Sequence, residues 1–305
     1  MKYIVKKLLQ AVITIFIVSV IIFLAVRASG DPVNNLIPDG ATKQQKELIT
    51  EQLGLDKPLI VQYGIFITDV LTGDFGNSYT SKRPVLEVIF EKLPYTLELA
   101  VVAILIAVVL TIPIGSLAAL KRNTWIDRLV IGISSLEEAV PIFFAGIFVI
   151  QIFGVKLKIL PVSGADSPLG IIGPSVLLGL AISGSMTMLL RNNMIQALES
   201  EYVKFARLRG IAEYKVVLKH ALRNSFSSVL SFSAFVFANL IAGSVVIESV
   251  FNWPGIGMLS YNSVIGRDFP MVQAVVLILA VFMIVLSTVI DIILAFLDPR
   301  IRKAE

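Results

Sequence analysis

The sequence has 305 residues, of which 56% are hydrophobic and 16% charged, and its mean hydropathy of +0.85 excludes an ordinary soluble domain. It carries a net charge of +4 and no cysteine, which excludes a disulfide framework, a thiolate metal site and a cysteine nucleophile. Six stretches are long and apolar enough to cross roughly 30 Å of hydrocarbon at about 1.5 Å per helical residue. They predict an all-α integral membrane protein, a single domain over residues 1–305 with six transmembrane helices.

The first span is predicted over residues 8–28. It is too long for a secretory leader and no small-residue cleavage pattern follows, so it reads as a retained helix. Residues 29–97 form a small extracytoplasmic segment. In it, Thr42-Lys43-Gln44-Gln45 has the form of a capping box opening a short helix through Leu53, with Gly54 closing it. From Pro58 to Leu71, residues Leu59, Gln62, Tyr63, Phe66 and Val70 recur at helical spacing, before the turn Gly73-Asp74-Phe75-Gly76. That regularity points to a folded cap rather than a solvated tether.

Further spans are predicted at 98–120, 129–155 and 169–190. The third carries Glu137 and Glu138, and ionisable groups at membrane depth are expensive. They either line a pore or sit near an interface paired to a neighbouring helix. The loop at 191–225 reads as helix, break, helix: Glu199 to Leu208, a tight turn at Gly210, then Glu213 to Leu222. Such an element either docks a partner or lies on anionic headgroups. After a fifth span at 226–247, the loop at 248–270 holds Asn252-Trp253-Pro254-Gly255-Ile256-Gly257. Its Pro and Gly residues break the helix, giving either a re-entrant loop or an interfacial turn. The sixth span, 271–292, carries Asp291 at its inner end, with Arg300 and Arg302 near enough in sequence to tether it.

The basic residues set the orientation. Lys2, Lys6 and Lys7, then Lys121, Arg122 and Arg128, then the cluster from Arg191 to Arg223, then Arg300, Arg302 and Lys303 fall on one side. The short loops opposite hold only Lys156, Lys158 and Arg267, which puts both termini in the cytoplasm. Topology thus accounts for the positive charge, and membrane lipid rather than nucleic acid is the expected partner. No Gly-Lys dipeptide occurs, so the chain has no phosphate-binding loop of the GxxxxGK type, and ATP hydrolysis would fall to another subunit. His220 is the only histidine and no GxSxG elbow occurs, so no catalytic residue, metal site or cofactor is expected of this chain.

The run Glu201-Tyr202-Val203-Lys204-Phe205-Ala206-Arg207-Leu208-Arg209-Gly210, followed by Leu218-Lys219-His220-Ala221-Leu222-Arg223-Asn224, resembles the loop by which ABC importer permeases grip their ATPase. Gly73-Asp74-Phe75-Gly76-Asn77-Ser78, Trp253-Pro254-Gly255-Ile256-Gly257, Arg267-Asp268-Phe269-Pro270 and Asp298-Pro299-Arg300 are also similar to the oligopeptide, dipeptide and nickel branch of binding-protein-dependent importers. The long segment after the first helix resembles the first permease of that branch's pair. Against the broader permease pattern, Ala206, Gly210 and Leu222 are kept. Lys204 and Phe205 replace Glu and Ala, and His220 and Arg223 replace Ile and Pro.

The resemblance implies the type I importer permease fold in a bacterial cytoplasmic membrane. It implies a homologous second permease, two cytoplasmic ATPase subunits using ATP and Mg, and an extracytoplasmic substrate-binding protein. The cargo would be di- or oligopeptides, glutathione, nickel or a metal chelate. With no Cys and no membrane His, a peptide or chelate fits better than a free soft cation. Glu201, Tyr202, Ala206, Arg207, Arg209, Gly210, His220 and Arg223 would couple to the ATPase. Glu137, Glu138, Trp253, Pro254, Gly255, Arg267 and Asp268 would line or gate the path. The alternatives are a proton-coupled secondary transporter using Glu137 and Glu138, which would need no ATPase, and a membrane protein serving mainly as an assembly scaffold, which would leave transport unaffected when the pore is mutated.

Overall fold

The computed structural model describes residues 2–28, 42–52 and 54–297. Leu53, the side chain of Asp291, the Asp298-Pro299-Arg300 stretch and the terminal Arg302 and Lys303 lie outside the described residues. Among the described residues the regular structure is helical apart from an isolated bridge between Asn77 and Pro84. The α-helices of six residues or more are α1 (Lys2–Ala28), α2 (Lys43–Gln52), α3 (Leu59–Thr72), α4 (Val85–Leu120), α5 (Trp125–Ala139), α6 (Ile142–Val149), α7 (Ile172–Glu199), α8 (Glu201–Leu208), α9 (Arg223–Gly243), α10 (Val245–Val250), α11 (Ile256–Ile265) and α12 (Phe269–Leu297).

Five helical stretches are long and apolar enough to cross a membrane: Val5–Ala28, Val85–Leu120, Pro168–Glu199, Glu213–Ile241 and Phe269–Ile290. A sixth is the pair Trp125–Ala139 and Ile142–Lys156, bent by 96°. The continuous span expected over 129–155 is therefore broken. Pro141 has no N–H to give and its ring drives Val140 out of the helical region, to φ −86 and ψ 120. Conversely, α4 starts at Val85, ahead of the apolar run that begins near residue 98. Glu87, Glu91 and Lys92 count against a membrane span but are good helix formers, so the helix runs through them.

The chain divides into two compact units, Met1–Pro94 with Gly255–Ile292, and Tyr95–Pro254 with Ile293–Glu305. In the first, α3 packs on α1 through Phe23, whose ring lies 5.4 Å edge-on to Tyr63 and 5.8 Å stacked on Phe66. Ser19 Oγ and Tyr63 Oη share a 2.8 Å hydrogen bond, and Gln62 Nε2 donates to the carbonyls of Leu55 and Lys57, tying down the turn before α3. The capping box at α2 is reciprocal: the Thr42 N–H donates to Gln45 Oε1 at 2.9 Å and the Gln45 N–H to Thr42 Oγ1 at 3.4 Å.

The second unit is organised on α7. Met186, Leu190 and Met194 are fully buried among Ala107 of α4, Ala221 and Val229. The outward faces of α4 and α5 keep Leu105, Val109, Leu129 and Ile133 exposed, as lipid-facing surface requires.

Candidate functional site

The segment from Glu199 to Arg223 builds itself from local rules. Ser200 turns extended, at φ −71 and ψ 154, and ends α7, so the expected helix from Glu199 starts instead at Glu201. Within α8, Val203 and Ala206 are buried against Val216 and Ile211. Gly210 stands at φ +72, a left-handed conformation that a Cβ resists. Its N–H donates to the Arg207 carbonyl at 2.9 Å and the Ile211 N–H to that of Ala206 at 3.3 Å, so α8 closes in a Schellman motif sealed by Ile211. Across the turn, Arg207 Nη2 and Nε donate to the Glu213 carboxylate at 2.6 and 3.1 Å. Those bonds hold the Arg207 guanidinium above its ordinary pKa. The expected separate helix Glu213 to Leu222 is instead three α residues, Glu213–Lys215, and a π-helical stretch Val216–Leu222 that runs into α9. No Gly or Pro stands there to stop it.

Among the predicted coupling residues, Glu201, Tyr202, Arg207, Arg209, Gly210 and Arg223 are exposed, His220 is half-buried and Ala206 faces inward. The same helix also bares an apolar face that the coupling residues do not include: Phe205 is 62% exposed and Leu208 82%, in line with Tyr202. Spacing of three along a helix, opposite Val203 and Ala206, was the signal for it.

Glu137 and Glu138 occupy the last turn of α5 and both face α7. A Cβ on Gly184 would stand 2.5 Å from Glu137 Oε2 and 3.2 Å from the Ser134 carbonyl, so α7 and the α5 backbone approach closely beside this carboxylate. Ser185 Oγ donates to Glu138 Oε1 at 2.7 Å. The ion pair between the two helices is made elsewhere, by Asp127. Its carboxylate takes Arg191 Nε at 2.5 Å and Nη2 at 2.7 Å, and also accepts the Asn123 N–H at 2.8 Å. Asp127 was missed because it lies near the start of its helix, where an acid is ordinary.

The Trp253 turn is packed. Asn252 takes φ +50, and Trp253, 3% exposed, donates from Nε1 to the Tyr95 carbonyl at 3.0 Å with the two rings edge-on. Its N–H donates to the carbonyl of Glu248 at 2.7 Å. Glu248, absent from the predicted site, is fully buried and accepts hydroxyl hydrogen bonds from Thr96 and Ser244. Pro254 is half-buried, and Gly255, buried, opens α11. Arg267 and Asp268 fall in the other compact unit. Arg267 is an exposed turn residue at φ +50. Asp268 is buried, accepting Ser78 Oγ at 2.5 Å and the N–H groups of Tyr79, Thr80 and Met271 at 3.0, 3.1 and 3.4 Å, so it caps α12 and pins the 78–80 turn. Burial there pushes the Tyr79 phenol above its ordinary pKa.

Residues 111–303 match the family described as binding-protein-dependent transport system inner membrane component, and residues 1–100 match its N-terminal counterpart. The chain is 40% identical over 303 residues, 99% of both chains, to the glutathione transport system permease protein GsiC of Escherichia coli (strain K12). The GsiC protein of Salmonella typhimurium is 41% identical over the same share. Among solved structures, an amino acid ABC transporter crystallised with histidines superposes with a TM-score of 0.54 at 16% identity, over 68% of this chain and 93% of that one, which shows a common fold. A match over nearly the whole length, on a helical chain with five or six candidate spans, settles the family: this protein belongs to the inner membrane permeases of binding-protein-dependent ABC importers, in their peptide and nickel branch.

Proposed function

We propose that this permease forms half of the path by which a peptide or peptide-like solute enters the cell, driven by two cytoplasmic ATPase subunits that seat on residues 199–223. The build of α8 carries the reading. Val203 and Ala206 hold the helix to its own unit, while Tyr202, Phe205 and Leu208 project outward with Arg209 and Arg223 exposed nearby. An exposed apolar row rimmed by charge is a docking face in want of cover. Closure of the ATPases on ATP would push this segment as a lever and reorient the helices that follow it.

The second half of the path comes from a homologous permease, and an extracytoplasmic binding protein delivers the cargo. Both termini of this chain lie in the cytoplasm, and ATP and Mg belong to the ATPase subunits. Glu137 and Glu138 would attract the ammonium group of a substrate, and Trp253 and Pro254 would border its entrance. Relatives of 40% identity bear the name of glutathione permeases, and that tripeptide carries a free amino group, so glutathione or a small peptide is favoured over nickel. Family membership lends no support to proton coupling through the two glutamates.

The test is Leu208→Glu in a tagged chain purified with its neighbours from the native membrane. We expect ATPase subunits to be recovered at least tenfold less, and ATP-dependent uptake of labelled glutathione or dipeptide to fall with them, while the isolated chain keeps its helix content. ATPases retained on the variant, or uptake by the parent without ATP, would sink the reading.

A further inference from the structure

Glu248 is buried completely in α10, where a carboxylate is costly unless its hydrogen bonds fix something. Its Oε1 accepts from Thr96 Oγ1 at 2.8 Å and from Ser244 Oγ at 2.6 Å, and those two residues are themselves 0% and 2% exposed. Its carbonyl oxygen accepts the Trp253 N–H at 2.7 Å, and the Trp253 indole Nε1–H returns to α4 at the carbonyl of Tyr95, the residue before Thr96. The contacts close a ring: α4 to carboxylate, carboxylate to its own backbone, backbone to indole, indole to α4. Ser244, which donates to the carboxylate, is also the joint between α9 and α10, with φ −74 and ψ 0. The ring therefore holds a short, separate helix and the turn beyond it. Buried polar networks of this kind specify one arrangement more than they add net stability.

We propose that Glu248 is the positioning residue of the Trp253-Pro254 turn: through Thr96 and Ser244 it keeps the turn seated on α4, and its release frees the turn during the transport cycle. The proposal rests on the importer reading above. Glu248 touches no substrate in this scheme and acts through Trp253. When the Thr96 and Ser244 hydroxyls let go, the indole loses its alignment with the Tyr95 carbonyl and α10 can tilt at Ser244.

The experiment uses the assembled importer in lipid nanodiscs, with Thr96→Val, which keeps the side-chain shape and removes the donor, and Thr96→Ser, which keeps the donor. One readout is the ratio of ATP hydrolysis with loaded binding protein to that without it. The other is the rate at which a maleimide labels Ile247→Cys, a position 1% exposed in a chain with no natural cysteine. We expect Thr96→Val to raise unstimulated hydrolysis several-fold, bring the ratio towards one and speed labelling several-fold, and Thr96→Ser to restore both. A role in packing alone lowers the yield of Thr96→Val and leaves the ratio and labelling rate at parental values, and that result overturns the proposal. So does Thr96→Ser behaving as Thr96→Val. Absence of ATP hydrolysis in the parent complex would count against the importer reading instead, and labelling of the chain in membranes would still decide the role of Glu248.

Discussion

The segment at 199–223 and the ring around Glu248 belong to the same compact unit and treat polar side chains in opposite ways. On the segment, Glu201 with Lys204 and Arg207 with Glu213 form ion pairs that stay exposed to solvent, and the large apolar residues Phe205 and Leu208 are exposed beside them. Around Glu248, the polar side chains of Thr96, Ser244 and Glu248 itself are buried. A surface proposed to seat a partner can keep its ion pairs screened by solvent and needs apolar area to cover. A turn that must stay seated until its hydrogen bonds are released needs those bonds shielded from water, where each is stronger and an unmade one is expensive.

Asp127 and Arg191 extend the buried class to a full ion pair, 2% and 12% exposed, and give the largest expected effect. Asp127→Ala leaves a guanidinium partly buried without its partner and should cost about 3 kcal/mol, read as a drop in unfolding midpoint in detergent. Adding Arg191→Met should recover part of that loss, since the unpaired charge is then gone. If the single variant is as stable as the parent, burial does not separate the two classes. Next comes Gly210→Ala. Nothing lies within 4 Å of the added Cβ, so the cost is that of a left-handed backbone alone, roughly 1 kcal/mol, and should appear as weaker ATPase retention with intact span helices. The smallest effect belongs to Arg207→Gln, whose pair with Glu213 is exposed. It should change stability by less than about 1 kcal/mol, and a larger fall in the unfolding midpoint would show that the pair is not screened by solvent.

Much of the fold was legible because hydropathy and capping are local. The apolar runs, the reciprocal box at Thr42 and Gln45, and the left-handed turn at Gly210 each follow from residues within a few positions of one another. The broken third span was local too, written in Val140-Pro141, but the hydropathy of the whole run concealed it. At the candidate site, the outward row Tyr202, Phe205 and Leu208 was readable from spacing once Val203 and Ala206 had been assigned inward.

By itself the sequence determined an all-helical membrane chain, where its apolar runs lie, and the first helix, turn and basic residues of the 199–223 segment, because the bilayer and the helix period act on neighbouring residues. Only the tertiary structure decided which polar groups meet. Thr96 and Glu248, Asp127 and Arg191, Ser78 and Asp268 are far apart in the chain. An acid on an apolar helix reads alike whether it faces water, a pore or a hydroxyl on another element, and packing alone chooses among these.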